Sequence, residues 1–256
     1  CGARWLAGQK QDRRKKASEA MQLLKEAQVA LARLVRDVNN SIRARVVLLP
    51  ANSAGDNIIF HAEGGDVVLP LLRQQKDGEE CLSLSDFVKP CGTDYVGAFA
   101  VTAGRGIEEI ISGYQQTDDF KALLYQSLSD RLAEAAAELL HARVRREVWG
   151  YAPDERIDRQ RALRAQYRGI RPAAGYPSLP DQSAIFAIEK IVGFANVGIA
   201  VTPNGAMSPA SSVSGLMIAH PESRYFMIGA IAPDQRRDYA ARRGITEEEL
   251  SKWLPK

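Results

Sequence analysis

Apolar residues early in the chain recur at three- and four-residue steps: Met21, Leu24, Ala27, Leu31, Leu34, Val35 and Val38. That spacing predicts an amphipathic helix over 17–38, ended by Asn39-Asn40. Short β-branched runs follow at 46–49, 58–60 and 67–69, and Gly64-Gly65 between the last two reads as a hairpin turn. The run 95–102 is apolar throughout, and Gly97 inside it marks a close backbone approach. The helical period returns over 118–148, the longest such pattern. Leu128, Leu132, Ala135 and Leu139 share one face, with Asp130, Glu134 and His141 roughly opposite. Gly150 and Pro153 stop this helix, and an Arg-rich segment at 155–167 adds a short one.

The segment Arg171-Pro172-Ala173-Ala174-Gly175-Tyr176-Pro177 breaks all periodicity. Asp181 is placed to cap a helix running through Ile191. Strands are expected at 197–201, 213–219 and 225–231. Pro233 at a first-turn position, Gly244 as a C-cap, and Thr246 with Glu249 as a capping box mark a helical end. The strands mostly neighbour one another and do not alternate with helices as a doubly wound parallel sheet requires. The expected class is α+β: an antiparallel or mixed sheet flanked by helices. We expect one domain over 1–256, with a helical segment at 1–40 and a ligand-binding body at 41–256.

Composition narrows the function. Of 256 residues, 45% are hydrophobic and 25% charged, ordinary values for a globular chain. The formal charge of +3 is too small to imply nucleic acid or an anionic membrane. The basic stretches Arg13-Arg14-Lys15-Lys16, 143–146 and 156–171 lack the interleaved aromatics of a phosphate-tracking groove and read as solvated helix faces. Three cysteines (Cys1, Cys81 and Cys91) without a C-x-x-C point to free thiols and a reducing compartment. No run is long enough for a membrane span, and no signal-peptide pattern follows Cys1, so the chain reads as part of something longer.

The familiar catalytic signatures are missing. Gly104-Arg105-Gly106 is a lone G-x-G and reads as a turn. Glu138 and His141 form one E-x-x-H step where a two-metal carboxylate bundle needs two copies, so they read as a surface pair. His61-Ala62-Glu63-Gly64 fits H-x-x-G, but Ile59 stands where a corrinoid-binding signature has Asp. His61, His141 and His220 are far apart in sequence, which leaves a histidine triad or zinc site unsupported.

Two segments stand out. In 171–177, prolines and a glycine stiffen the backbone, and Ala173 and Ala174 leave its polar groups uncovered for a ligand. Arg171 offers a fork for a carboxylate and Tyr176 a ring face for a cation. A plain rigid surface turn is the simpler reading of the same residues. The second segment, Ser211-Ser212-Val213-Ser214-Gly215 through His220-Pro221-Glu222-Ser223-Arg224-Tyr225-Phe226, reads on physics alone as a hairpin with a tight turn.

Together these segments resemble the activation domain of cobalamin-dependent methionine synthase. Residues 171–177 are similar to that family's R-P-A-x-G-Y-P. Ser212-Val213-Ser214-Gly215 with His220-Pro221-Glu222-Ser223-Arg224-Tyr225 resembles its S-V-S-G…H-P-[DE]-S-[KR]-Y. Residues 94–102 (Asp94-Tyr95-Val96-Gly97-Ala98-Phe99-Ala100-Val101-Thr102), 130–135 (Asp130-Arg131-Leu132-Ala133-Glu134-Ala135) and Trp149-Gly150-Tyr151 extend the likeness over nearly the whole chain, from about Trp5 onward.

The resemblance implies a C-shaped single domain on a twisted antiparallel sheet flanked by helices, binding S-adenosylmethionine in a shallow groove. It implies that the domain docks on a cobalamin-binding module and supports reductive methylation of cob(II)alamin to methylcobalamin, with a flavodoxin or flavoprotein reductase as electron donor. By the same likeness, Arg171 binds the ligand carboxylate. The backbone at Ala173, with Gly175 and Tyr176, lines the methionine and sulfonium region, and Tyr225 and Phe226 hold the other side. Asp130 and Glu134 face the cobalamin module. The expected setting is cytoplasmic, with no nucleic acid and no membrane partner. The family also has a ligand-binding Asp in a D-W-T-P-F-F stretch, and this chain, opening at Cys1-Gly2-Ala3-Arg4-Trp5, reads as starting just after it. Position 226 is Phe where some members have Tyr. The rival expectation is a stand-alone S-adenosylmethionine-sensing or protein-interaction domain without methyl-transfer activity.

Overall fold

The computed structural model describes residues 2–37, 42–76, 78 and 80–255, of which 2–16 are described by backbone alone. The chain opens with helix α1 (Gly2–Asp37). Strands β1 (Arg43–Ser53), β2 (Asn57–Ala62), β3 (Gly65–Pro70) and β4 (Tyr95–Thr102) follow, then helices α2 (Ile107–Gln115) and α3 (Asp119–Arg143). A π-helical turn (Val144–Val148) ends α3, and α4 (Arg159–Leu163) and α5 (Ala184–Val192) come next. The chain finishes with β5 (Ala200–Val201), β6 (Met207–Ser208), β7 (Ser212–Met217), α6 (Pro233–Arg243) and α7 (Glu247–Leu250).

The main sheet is antiparallel with strand order β3-β2-β1-β4-β7, and β5 and β6 form a separate small pair. β4 explains why 95–102 carries no polar alternation: Val96 to Thr102 are all buried, because both faces of the strand are covered. Val96, Ala98 and Ala100 meet Ile185, Ile188 and Val192 of α5. Phe99 and Val101 meet Ala137 of α3 and Val144 just beyond it. Gly97 is the expected close approach, since a Cβ there would lie 3.1 Å from both the Leu48 and Met217 side chains.

Several expectations change against the structure. The first helix is longer than its apolar pattern, and Met21, Leu24 and Val35 are exposed while Ala30 and Leu34 are buried. Val38, Asn39 and Asn40 lie outside the described residues. The β2–β3 turn is Glu63-Gly64, one residue earlier than read, with Gly65 already paired to Ala62. α2 was not foreseen; Gly106, in the left-handed region at φ 83°, begins it.

The larger corrections concern α3 and the C-terminal third. α3 buries its small residues (Ala122, Ser129, Ala133 and Ala137) together with Tyr125 and His141, whereas Leu139 of the leucine face is exposed. Small side chains let the helix sit close on the sheet, so volume decides the buried face rather than hydrophobicity alone. His141 is fully buried, which corrects the surface-pair reading of Glu138 and His141. Arg145 is also buried, against Glu155 at 2.7 Å, and is no part of a solvated face. Asp181 is not the N-cap of α5, which is Ser183. It lies two residues earlier, 1% exposed, accepting from Ser183 N–H at 2.8 Å and from the Tyr239 hydroxyl at 2.7 Å. Of the expected strand 197–201 only Ala200–Val201 pairs, after a 3-10 turn (Phe194–Val197).

Residues 225–231 form no strand. This stretch runs extended and is pinned across loops: Phe226 N–H donates to Ser178 Oγ at 3.1 Å, and Ile228 N–H to the Pro177 carbonyl at 3.0 Å. Thr246 caps α7 by accepting from Glu249 N–H at 3.1 Å, the first half of the expected capping box. Among the described residues, no helix is long and apolar enough to cross a membrane.

Candidate functional site

The 171–177 segment lies along the open edge of β7. Ile170 N–H donates to the Ile218 carbonyl at 2.9 Å, Ile218 N–H returns the bond at 3.0 Å, and Leu216 N–H donates to the Pro172 carbonyl at 2.9 Å. Ala174 N–H then donates to the Ser214 carbonyl at 3.1 Å. Proline suits this edge, because its carbonyl is used and its missing N–H is not needed. Gly215 lets the two backbones touch: a Cβ there would stand 2.2 Å from the Pro172 carbonyl oxygen and 2.7 Å from Ala173 Cα. Gly175 has φ +83°, a left-handed conformation that L side chains rarely adopt, which favours glycine where the chain turns. The backbone groups expected to be open to a ligand are partly committed, since the Ala173 carbonyl accepts from Tyr176 N–H at 3.2 Å.

Facing this edge is the 220–227 segment. His220 starts a turn in which its carbonyl accepts from Ser223 Oγ at 2.7 Å and from Ser223 N–H at 3.1 Å. The turn delivers Tyr225 so that its hydroxyl accepts from Arg171 N–H at 2.8 Å. The next residue, Phe226, tilts its ring against Phe87 with 6.4 Å between centroids.

Between the two segments and α3 opens a cleft of about 940 Å³. Five of the six ligand-binding residues expected from the sequence line it: Arg171, Ala173, Tyr176, Tyr225 and Phe226. The sixth, Gly175, shapes the loop without lining the cleft. Tyr176 and Tyr225 are 53% and 44% exposed, a pair of open aromatic faces at the rim of a concave site. Glu134 lines the cleft wall, paired with Arg131 at 2.6 Å. Asp130 has Oδ1 engaged by Ser211 Oγ at 2.6 Å and Gln126 Nε2 at 2.8 Å, which ties α3 to the start of β7.

Sequence reasoning missed Glu138 and Tyr167 as cleft residues. Glu138 Oε2 accepts from the Tyr167 hydroxyl at 3.3 Å and from Arg171 Nη2 at 3.4 Å. Burial pushes the Tyr167 hydroxyl well above its ordinary range, with Tyr225 and Glu138 adding to the effect, so it stays a neutral donor. Arg145 lies 4.0 Å over the Tyr167 ring, and His141 meets that ring edge-on at 5.2 Å. Burial, with Arg145 and Arg171 nearby, lowers His141 to about 2, so it is an uncharged packing group. The available signal was the spacing of Asp130, Glu134 and Glu138, four residues apart along one helix.

The site offers a guanidinium, carboxylates, aromatic faces and a stiff loop. Among the described residues there is no group of His, Cys, Asp and Glu that could hold a metal ion.

Comparison with known proteins bears on the fold and the family. A solved structure described as the MetH reactivation domain bound to AdoHcy is similar to this chain. The two share 38% sequence identity at a TM-score of 0.84, over 92% of this chain and 76% of that one. The family model for the vitamin B12 dependent methionine synthase activation domain matches residues 6–244. The chain therefore belongs to the vitamin B12 dependent methionine synthase activation-domain family.

Proposed function

We propose that the cleft binds S-adenosylmethionine, and its product S-adenosylhomocysteine, and that the chain presents this ligand to a cobalamin-binding module during reductive methylation of cob(II)alamin. The carrying observation is that the 171–177 edge, Arg171 included, and the Tyr225–Phe226 segment line one cleft. A 38% identical domain whose structure is described as bound to AdoHcy supports the choice of ligand.

In this reading Arg171 takes the ligand carboxylate, as its planar fork suits. Tyr176 and Tyr225 offer ring faces to the sulfonium and the nucleoside. When bound, the ligand supplies an electrophilic methyl group to the reduced cobalt held by the partner module. The chain's own task is positioning, which needs rigid backbone rather than an acid or base. The double anchoring of 171–177, to β7 on one side and Tyr225 on the other, supplies that rigidity. Glu134, on the cleft wall, and Asp130, a turn earlier on α3, are the residues we assign to the face toward the cobalamin module. A flavodoxin or flavoprotein reductase supplies the electron.

The test is calorimetric titration of S-adenosylhomocysteine into the chain and its Arg171→Ala variant. We expect binding to weaken by about tenfold or more, the contribution of a charge-assisted bidentate contact, with an unchanged circular dichroism spectrum. Equal affinity in the two proteins would refute the assignment.

A further inference from the structure

A second cavity, of about 560 Å³, opens beside the cleft, with Ala165 and Tyr167 in the wall of both. Three exposed arginines line it: Arg156, Arg161 and Arg168. Among the described residues no carboxylate pairs with any of the three side chains. The acids nearest in sequence are already used. Glu155, also in the lining, is held by the buried Arg145 at 2.7 Å. Asp158 caps α4, accepting from Arg161 N–H at 2.9 Å. Between 155 and 168 five arginines stand against these two acids, a local surplus equal to the +3 formal charge of the whole chain. The sequence pattern reads this stretch as a solvated helix face, but the fold brings arginines from both of its ends to one concavity.

Two local features shape the cavity. Arg168 is tethered: Nε donates to the Ala219 carbonyl at 3.2 Å and Nη1 to the Tyr151 carbonyl at 3.3 Å, with the guanidinium 5.4 Å over the Tyr151 ring. Its charge is thus oriented without being neutralised. Ala165, at φ 50°, is the one non-glycine among the described residues with a positive φ. An L side chain rarely takes that conformation, and here it turns the chain sharply after α4, with Gln166 N–H donating to the Arg161 carbonyl at 3.0 Å. The turn folds Arg168 back beside Arg161. The geometry points to this cavity as a binding site for a phosphate-bearing small molecule. Guanidinium forks match phosphate oxygens, and a concave surface lined by one sign of charge concentrates its field on a compact anion. Without an anion the three guanidinium groups only repel one another. The inference is independent of which ligand fills the neighbouring cleft.

The experiment is calorimetric titration of the whole chain with sodium pyrophosphate at constant ionic strength, in wild type, Arg156→Gln, Arg161→Gln and Arg164→Gln. Arg164 lines neither cavity, so its variant removes the same charge from the same segment without touching the site. Wild type is expected to bind one pyrophosphate saturably. Arg156→Gln and Arg161→Gln are each expected to weaken binding by about fivefold or more, as loss of a charge-assisted contact does. Arg164→Gln is expected to stay within about twofold of wild type, since an exposed charge outside the cavity is screened. Circular dichroism confirms that each variant is folded, and either cavity variant alone suffices for the comparison. No saturable binding by wild type at about 10 mM pyrophosphate overturns the inference. Equal weakening in Arg161→Gln and Arg164→Gln overturns it too, because the charge then acts diffusely, as it would toward an acidic protein surface. Unchanged affinity in both Arg156→Gln and Arg161→Gln places the anion elsewhere and has the same consequence.

Discussion

Gly215→Ala introduces one methyl group at the tightest backbone contact in the site. The new Cβ would stand 2.2 Å from the Pro172 carbonyl oxygen and 2.7 Å from Ala173 Cα, both on the neighbouring chain segment. Nonbonded carbons prefer about 3.5–4.0 Å, so the 171–174 backbone must withdraw by about 1 Å. Overpacking of this kind costs about 1–3 kcal/mol. Withdrawal also strains the Leu216–Pro172 and Ala174–Ser214 hydrogen bonds, each contributing about 1 kcal/mol. The expected loss is about 2–4 kcal/mol, or a fall of about 5–15 °C in Tm for a domain of this size. Urea unfolding and thermal melts measure it directly. Gly97→Ala is the milder comparison, because its nearest contacts, at Leu48 Cδ2 and Met217 Cβ, are 3.1 Å away rather than 2.2 Å. A loss below about 0.5 kcal/mol for Gly215→Ala would refute the close-approach reasoning. The same variant should lose S-adenosylhomocysteine binding, since Arg171 and Ala173 ride on the displaced segment.

Two further outcomes follow from the site. Tyr225→Phe removes the acceptor of Arg171 N–H and should cost about 1–2 kcal/mol in stability by urea unfolding, with weaker S-adenosylhomocysteine binding; a neutral result in both would contradict the anchoring role. Burial lowers His141 from 6.5 to about 2, so below pH 6.5 the unfolded chain binds a proton that the folded chain does not. Stability from this group is full above pH 6.5 and falls by about 1.4 kcal/mol per pH unit below it. The stability gap between wild type and His141→Asn should therefore narrow by about 2 kcal/mol from pH 7 to pH 5. A constant gap would show that His141 is not held neutral.

The sequence carried the α+β class, and five of its six expected ligand residues line one cleft, but individual elements were less legible. Gly175 and the prolines of 171–177 announce a backbone that only one conformation satisfies, and the loop occupies that place in the structure. Tyr225 was legible only through the resemblance; by pattern alone 225–231 reads as a strand. Its backbone bonds go instead to Ser178 and Pro177, a loop-to-loop pairing that no periodicity encodes. α3 misled for a different reason. Its leucines form the more hydrophobic stripe, but the close packing against β4 and β7 admits only small residues, so Ala133 and Ala137 go inside. That rotation brings Glu138 into the cleft and buries His141, and so overturned the surface reading of the pair. Arg145 shows the same limit, because a buried arginine depends on Glu155 and Tyr167, partners that meet it only in three dimensions.

The most direct test of the ligand-binding reading is a crystal structure of this chain grown with S-adenosylhomocysteine. The expected result is density in the cleft with the amino-acid end at Arg171 and the rest of the molecule between Tyr176 and the Tyr225–Phe226 segment. An empty cleft at saturating ligand, or a molecule seated elsewhere on the surface, would contradict it.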